Sequence, residues 1–190
     1  MIPNPHERVP PGSRATRSFP VIHVDEIPVF DPKTWDLRVG GLVERPVRLT
    51  WEDFQSLPRV VRTTDFHCVV GFSRLDNRWE GILLRDLLGR VGPRASARFV
   101  RFGDDRLYDT TIPIELALED HTLLADTHDG RLLSPGHGAP VRAIVGDLFA
   151  WKSVKWLRTI ELLETDKVGF WEKRGLPAHG NPFEARKPAG

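Results

Sequence analysis

A single cysteine in 190 residues and the absence of any charge excess limit this chain more than anything it is rich in. One cysteine cannot form a disulfide within the chain, so the sequence gives no sign of an oxidising compartment, and a reduced cytoplasm is expected. Lys and Arg number 27 against 26 Asp and Glu, so no global field would hold the protein on nucleic acid or a membrane surface. Any basic site must be local. No apolar run approaches the ~20 residues of a transmembrane helix. Residues 1–8 lack the apolar core of a signal peptide, Arg14 and Arg17 do not form a twin-arginine pair, and no internal repeat is visible. What remains, 40% hydrophobic and 28% charged residues, is ordinary for a chain with a packed core. We expect a single domain over residues 21–190, preceded by a Pro- and Arg-rich extended segment, 1–20, that buries little, wraps the surface or stays mobile, and holds no chemistry.

Trp35-Asp36-Leu37-Arg38-Val39 alternates apolar and polar residues up to Gly40-Gly41, the pattern of a half-buried strand entering a turn. Thr50 and Asp53 have the spacing of a capping box, and Leu49 and Phe54 that of a hydrophobic staple, so a short helix starts at Trp51 and stops before Pro58. The β-branched run Val60-Val61-Arg62-Thr63-Thr64 leads into Phe66-His67-Cys68, which puts Cys68 at or just beyond a strand end. Leu84, Leu87, Leu88 and Val91 recur at helical spacing before Gly92-Pro93. Residues 98–102 read as a strand followed by a Gly103-Asp104-Asp105 turn, and Pro113 suits the first turn of a helix carrying Ile114, Ala117 and Leu118. The Gly- and Pro-dense stretch 134–140 is a loop. Residues 141–145 and 156–164 are strands, the second retaining some helix character in its Leu pair. Several short strands with few, short helices predict a mixed α+β fold built on a largely irregular sheet.

Taken alone, Cys68 reads equally well as a small buried hydrophobe or as a reactive group. As a nucleophile it would need a base, yet His67 is its chain neighbour and points the opposite way on an extended strand. As a zinc ligand it lacks companions at recognisable spacings. A metal held by one protein thiolate needs its other ligands from elsewhere, and a dithiolene cofactor supplies them. Further along, Trp151-Lys152-Ser153-Val154-Lys155-Trp156 encloses two cations between two tryptophans, with His137 and Arg142 upstream. These are either solvated surface charges or an anion pocket that fits a phosphate. Trp35, Trp51 and Trp79 read as packing residues, Trp79 lying after a polar turn and before the Leu-rich helix. Asp109-Thr110-Thr111 reads either as a cap for the Pro113 helix or as a hydroxyl pair facing a ligand.

Four blocks in one order carry a resemblance. They are Trp35-Asp36-Leu37-Arg38-Val39-Gly40-Gly41-Leu42-Val43 with Leu49-Thr50-Trp51-Glu52-Asp53; His67-Cys68-Val69 through Trp79-Glu80-Gly81-Ile82; His137-Gly138-Ala139-Pro140-Val141-Arg142; and Trp151-Lys152-Ser153-Val154-Lys155-Trp156-Leu157. With Gly169-Phe170-Trp171-Glu172 they make the chain, over roughly residues 30–185, resemble the molybdopterin-binding domain of the sulfite oxidase family, in particular its short bacterial members. The resemblance implies a molybdenum–molybdopterin cofactor with Cys68 as the metal's thiolate. It places His67 near the pterin. His137, Arg142, Lys152, Ser153 and Lys155 fall toward the pterin and its phosphate, and Thr110 stands against the cofactor.

Two positions depart from the family pattern. Gly71-Phe72 stands where many short relatives carry a large polar or basic residue followed by Trp, with Arg74 placed to replace a lost charge. Asp109 is an acid where a neutral hydroxyl residue is expected. Arg74 and Asp109 are therefore the substrate-side candidates. The expected activity is two-electron oxygen-atom transfer on a small sulfite- or sulfoxide-like substrate, with electrons exchanged with a separate partner because the chain has no room for a haem domain. The competing readings are a non-catalytic pterin carrier and a cysteine-dependent hydrolase.

Overall fold

The computed structural model describes residues 7–184; the Met1–His6 part of the N-terminal segment lies outside the described residues. Among the described residues eleven strands form two sheets. They are β1 (Arg14–Ala15), β2 (Asp36–Gly41), β3 (Val47–Thr50), β4 (Val60–Cys68), β5 (Phe72–Leu83), β6 (Phe99–Gly103), β7 (Asp109–Pro113), β8 (Thr122–His128), β9 (Arg131–Leu132), β10 (Arg142–Val145) and β11 (Thr159–Leu163). One sheet runs β3-β2-β11-β6-β7, and the other runs β1-β5-β8-β10, with β4 on β5 and β9 on β8. Three short helices punctuate them: α1 (Trp51–Gln55), α2 (Leu84–Val91) and α3 (Ile114–Ala117). The fold is the mixed α+β arrangement expected.

Local chemistry explains why most elements fall where they do. The Thr50 hydroxyl accepts from the Asp53 amide and the Asp53 carboxylate accepts from the Thr50 amide, a complete capping box that starts α1. α2 buries Leu84, Leu87, Leu88 and Val91 and ends at Gly92, which adopts a left-handed φ of 67°. The larger core joins these residues to Leu37, Val39, Val100, Phe102, Ile112, Ile160 and Leu162 from the five-stranded sheet. A second core gathers Phe66, Trp79, Leu83, Leu123 and Ile144 in the other sheet, with Phe19 and Phe72 packed against it.

Four expectations are corrected. The polar stretch before Trp79 is the first half of the 12-residue β5. Its inward positions carry Ser73 and Asn77, fully buried and satisfied by hydrogen bonds, which hides the apolar alternation. Asp109-Thr110-Thr111 is part of β7 and does not cap a helix; Pro113 precedes α3, and Leu118 is exposed. The last strand is shorter than 156–164, because Trp156 to Arg158 are spent crossing from one sheet to the other. The described part of segment 1–20, residues 7–20, is anchored and not inert: Arg8 donates to Asp65 at 2.8 Å, β1 adds to β5, and Phe19 enters the second core.

Candidate active site

The second sheet delivers Cys68 to the end of β4, where the hairpin to β5 closes through Val69, Val70 and Gly71, with Gly71 at φ 97° donating to the Cys68 carbonyl. Alternation then separates the neighbours. His67 turns into the protein, buried, with Nδ1 2.9 Å from the hydroxyl of its cross-strand partner Ser73. Cys68 lines a cavity of about 380 Å³, within the range typical of ligand sites. Burial pushes its thiol above the ordinary value, against the backbone amides of Val70 and Val69 and the charges of Lys155 and Arg142. Burial also lowers His67.

Across the cavity stand the cations. Arg142, on β10, is fully buried; its guanidinium donates to the His137 and Ser153 carbonyls at 3.0 Å each and lies over Phe66 and Trp79. Those partners are neutral, and its Nε has none. Burial pushes its pKa down to about 10, so it is still charged at neutral pH. Lys155 donates to the carbonyls of Ile22 (2.7 Å) and Gly136 (2.6 Å); burial first, then Arg142, push it down to about 7. Gly138 makes this pairing possible. Its φ is 108°, and a Cβ there would sit 3.1 Å from the Cβ atoms of both Arg142 and Lys155. Trp156, at a φ of 52° uncommon for a bulky residue, is fixed by its indole N–H on the Pro135 carbonyl.

Of the residues singled out in the sequence, Cys68, His137, Arg142, Ser153 and Lys155 line this one cavity. His67, Arg74, Asp109, Thr110 and Lys152 do not. Arg74 is bound by Asp129, Asn77 and His128, and Asp109 is held by Arg101 at 2.5 Å beside a separate groove. Neither substrate-side candidate reaches the cavity. Lys152 and Thr110 both bond Glu172. The Ser153 hydroxyl accepts from the Val145 amide, which braces the loop under Arg142.

The structure adds residues the sequence left unassigned. Tyr108 lines the cavity and donates to the Trp151 carbonyl at 2.8 Å. The Asp104 carboxylate presents it by accepting the amides of Arg106, Leu107 and Tyr108. Asp104 stood in the turn read from the sequence, and an Asp capping several amides is the available signal. Trp151 and Trp171 also form walls, and the Trp151 indole nitrogen is buried without a partner. Residues from Phe19 to Asp25 complete the lining.

These donors fit a ligand with a soft metal at one end and an anion at the other. Among the described residues no three His, Cys, Asp or Glu side chains gather to hold a metal, so a metal on Cys68 would take its other ligands from a bound group. A buried guanidinium with neutral partners and a free Nε suits a phosphate. The comparisons agree: residues 23–171 match the family model described as oxidoreductase molybdopterin binding domain. The chain belongs to that family.

The chain is 39% identical over 181 residues to the uncharacterized oxidoreductase YuiH of Bacillus subtilis, covering 95% of this chain and 91% of that one. It is 28% identical to the protein-methionine-sulfoxide reductase catalytic subunit MsrP of Campylobacter jejuni, covering 80% of this chain and 56% of that one. Among solved structures, the sulfane dehydrogenase SoxCD of Paracoccus pantotrophus shares the fold with a TM-score of 0.66 at 21% identity, covering 74% of this chain and 41% of that one. The resemblance read from the four sequence blocks therefore holds, and with it the molybdopterin cofactor and membership of an oxidoreductase family. Among the described residues no helix is long and apolar enough to cross a membrane.

Proposed function

We propose that this protein catalyses two-electron oxygen-atom transfer on a small sulfur substrate, with a neutral sulfoxide preferred to sulfite. The observation that carries it is the sharing of one cavity by Cys68 and the Arg142–Lys155 pair. When bound, the molybdenum cofactor supplies the oxygen-atom chemistry. Cys68 would hold the metal, while Arg142, Lys155 and the Trp151 indole would hold the anionic end. The apolar side chains of Val69, Val70 and Phe72 beside Cys68 bring no charged group to a sulfite dianion there. A neutral sulfoxide needs none. Sulfoxide reduction consumes two electrons and two protons and yields thioether and water, so a separate electron-transfer protein must supply the electrons. A cytoplasmic location belongs to the same proposal and is supported by the lone free thiol.

The cysteine-hydrolase reading loses support because His67 and His137 are both hydrogen-bonded to groups other than Cys68. His67 is tied to Ser73, and both ring nitrogens of His137 are engaged, by Ser134 at 2.8 Å and the Phe19 carbonyl at 2.9 Å. The test is metal and pterin analysis of protein made in a molybdenum-competent host, followed by dye-coupled assays with sulfoxides and with sulfite. Near-stoichiometric molybdenum with sulfoxide-dependent dye oxidation is expected. Pterin without turnover on either substrate would favour a carrier, and sulfite-dependent dye reduction would overturn the substrate preference.

A further inference from the structure

Alternation along β2 buries Leu37 and Val39 in the larger core and turns Arg38 and Gly40 to the opposite face of the five-stranded sheet. Cross-strand pairing extends that face over every strand, in one row from Arg48 through Arg38, Thr159 and Gly103 to Asp109. Glu161 and Arg101 are paired in the next row. A groove of about 430 Å³ lies along these rows, and Gly40, Gly41 and Gly103 bring no side chains to fill it. The charges here are layered. Asp36 and Asp109, with side chains only 7% and 15% exposed, lie beneath guanidiniums: Arg48 and Arg158 bind Asp36, and Arg101 binds Asp109. Arg48 is 73% exposed, Arg38 42% and Arg106 41%. The outward acids are Asp105, paired with Arg38, and Glu161, shared by Arg101 and Lys167, while Arg106 is held by Asp25. Guanidinium edges therefore reach solvent while Asp36, Asp104 and Asp109 stay below them.

Two residues join this face to the active site. Asp104 and Tyr108 line the groove and the cavity alike, so a single turn separates the two spaces. Electron tunnelling weakens exponentially with distance, which makes a thin wall the place for a donor to approach. The exposed Ile22, Val24 and Val70 of the cavity lining offer a charged carrier no countercharge. Resting on the oxygen-atom-transfer reading above, we infer that the groove face docks the electron-transfer protein, which presents an acidic surface to Arg38, Arg48, Arg101 and Arg106. Each sulfoxide reduced takes two electrons and two protons and gives thioether and water, so a one-electron carrier must dock twice per turnover and leave in between. Contacts of that kind are small and steered by charge. Asp109, which the cavity does not use, belongs to this face as the counter-ion that orients Arg101.

The probe is flavodoxin, an acidic one-electron carrier, with reduced methyl viologen as a donor small enough to need no docking face. Oxidised flavodoxin titrated at low salt into isotope-labelled full-length protein should shift the amide resonances of Arg38, Gly40, Arg48, Arg101 and Thr159, and salt at about 0.3 M should abolish the shifts. In molybdenum-loaded protein, sulfoxide reduction driven by reduced flavodoxin should fall about tenfold in the Arg38→Gln/Arg48→Gln variant, with the viologen-driven rate within twofold of the parent. Asp36 keeps Arg158 in that variant, so no buried charge is stranded. Shifts that map elsewhere, no shifts at low salt, or a flavodoxin-driven rate untouched by the double substitution would each overturn the inference, as would viologen-driven turnover that flavodoxin cannot support. Should the variant not fold, the shift map of the unmodified protein decides. Shifts of the same amides on diluting the protein alone would assign the face to a second copy and refute the docking. Absence of viologen-driven turnover overturns the oxygen-atom-transfer reading, and the map still decides whether an acidic carrier binds this face.

Discussion

Lys152 and Glu172 form a buried ion pair, Nζ to Oε1 at 2.6 Å, with side chains only 2% and 5% exposed. Thr110 donates to the same oxygen at 2.7 Å, and Lys152 also donates to the Thr111 carbonyl at 2.8 Å. The pair therefore bolts β7 to the turns that carry Trp151 and Trp171, and of the two lysines between the tryptophans only Lys155 is left for the cavity. Removing one partner strands the other charge, so Glu172→Ala should cost about 3–5 kcal/mol in urea unfolding, whereas Lys152→Met with Glu172→Leu should cost less than the single change. A Glu172→Ala loss below about 1 kcal/mol would show that the pair is not structural.

Lys155 makes the site sensitive to pH in a calculable direction. Its folded pKa of about 7 lies below the ordinary 10.5, so between those values the unfolded chain binds more protons than the folded one. Stability must then rise with pH across that window. Burial raises the Cys68 thiol and acts the opposite way at higher pH, so the clean interval is about pH 7 to 9. The melting temperature of cofactor-free protein should climb over that interval, and Lys155→Met should flatten the climb. Pyrophosphate, which needs the charged ammonium, should bind more weakly as pH rises through the same range. A flat profile in unmodified protein would refute the assignment.

How much of this was legible depended on whether a signal was local. The α1 capping box, the α2 leucines and the β2 alternation are local patterns; the two helices formed where they were read, and β2 formed there too but runs on through Gly40 and Gly41. Cys68 at a strand end was legible from the β-branched run before it. The first half of β5 was not, because Ser73 and Asn77 face inward and find partners on β4 and on β5 itself, which no single stretch reveals. β8 was missed for the opposite reason: Thr122 to Asp126 are buried without alternation. Arg74 and Asp109 had the right chemistry for a substrate site, and only the fold shows Asp129 and Arg101 claiming them. The place of residues 19–25 against the cavity was invisible because two of its ties use the backbone carbonyls of Phe19 and Ile22, a group every residue has.

Gly81 belongs to the second sequence block, and its reason is steric. A Cβ there would lie 2.0 Å from the Leu124 carbonyl oxygen and 2.7 Å from the Ala125 Cα, where β5 shifts register against β8. Neither contact is a side-chain tip that could swing away. Gly81→Ala should therefore force the two strands apart and cost roughly 1–3 kcal/mol, measurable as a lower urea midpoint. A variant as stable as the parent would mean that the ladder yields there.

The Cys68 assignment is tested by separating turnover from cofactor content. Serine is close to cysteine in size, and Cys68 is only partly buried, so Cys68→Ser should unfold within about 0.5 kcal/mol of the parent. Its hydroxyl is a harder and far weaker acid than a thiol and does not replace a soft thiolate on a sulfur-ligated metal. Oxygen-atom transfer should fall below detection. On the proposed assignment Arg142 and Lys155, elsewhere in the cavity, hold the anionic end, so the variant should keep its pterin. Arg142→Met should do the reverse at the level of binding, emptying the cavity of pterin although Cys68 is untouched. Turnover in Cys68→Ser equal to the parent would sink the ligand assignment, and full pterin content in Arg142→Met would move the anion site away from β10.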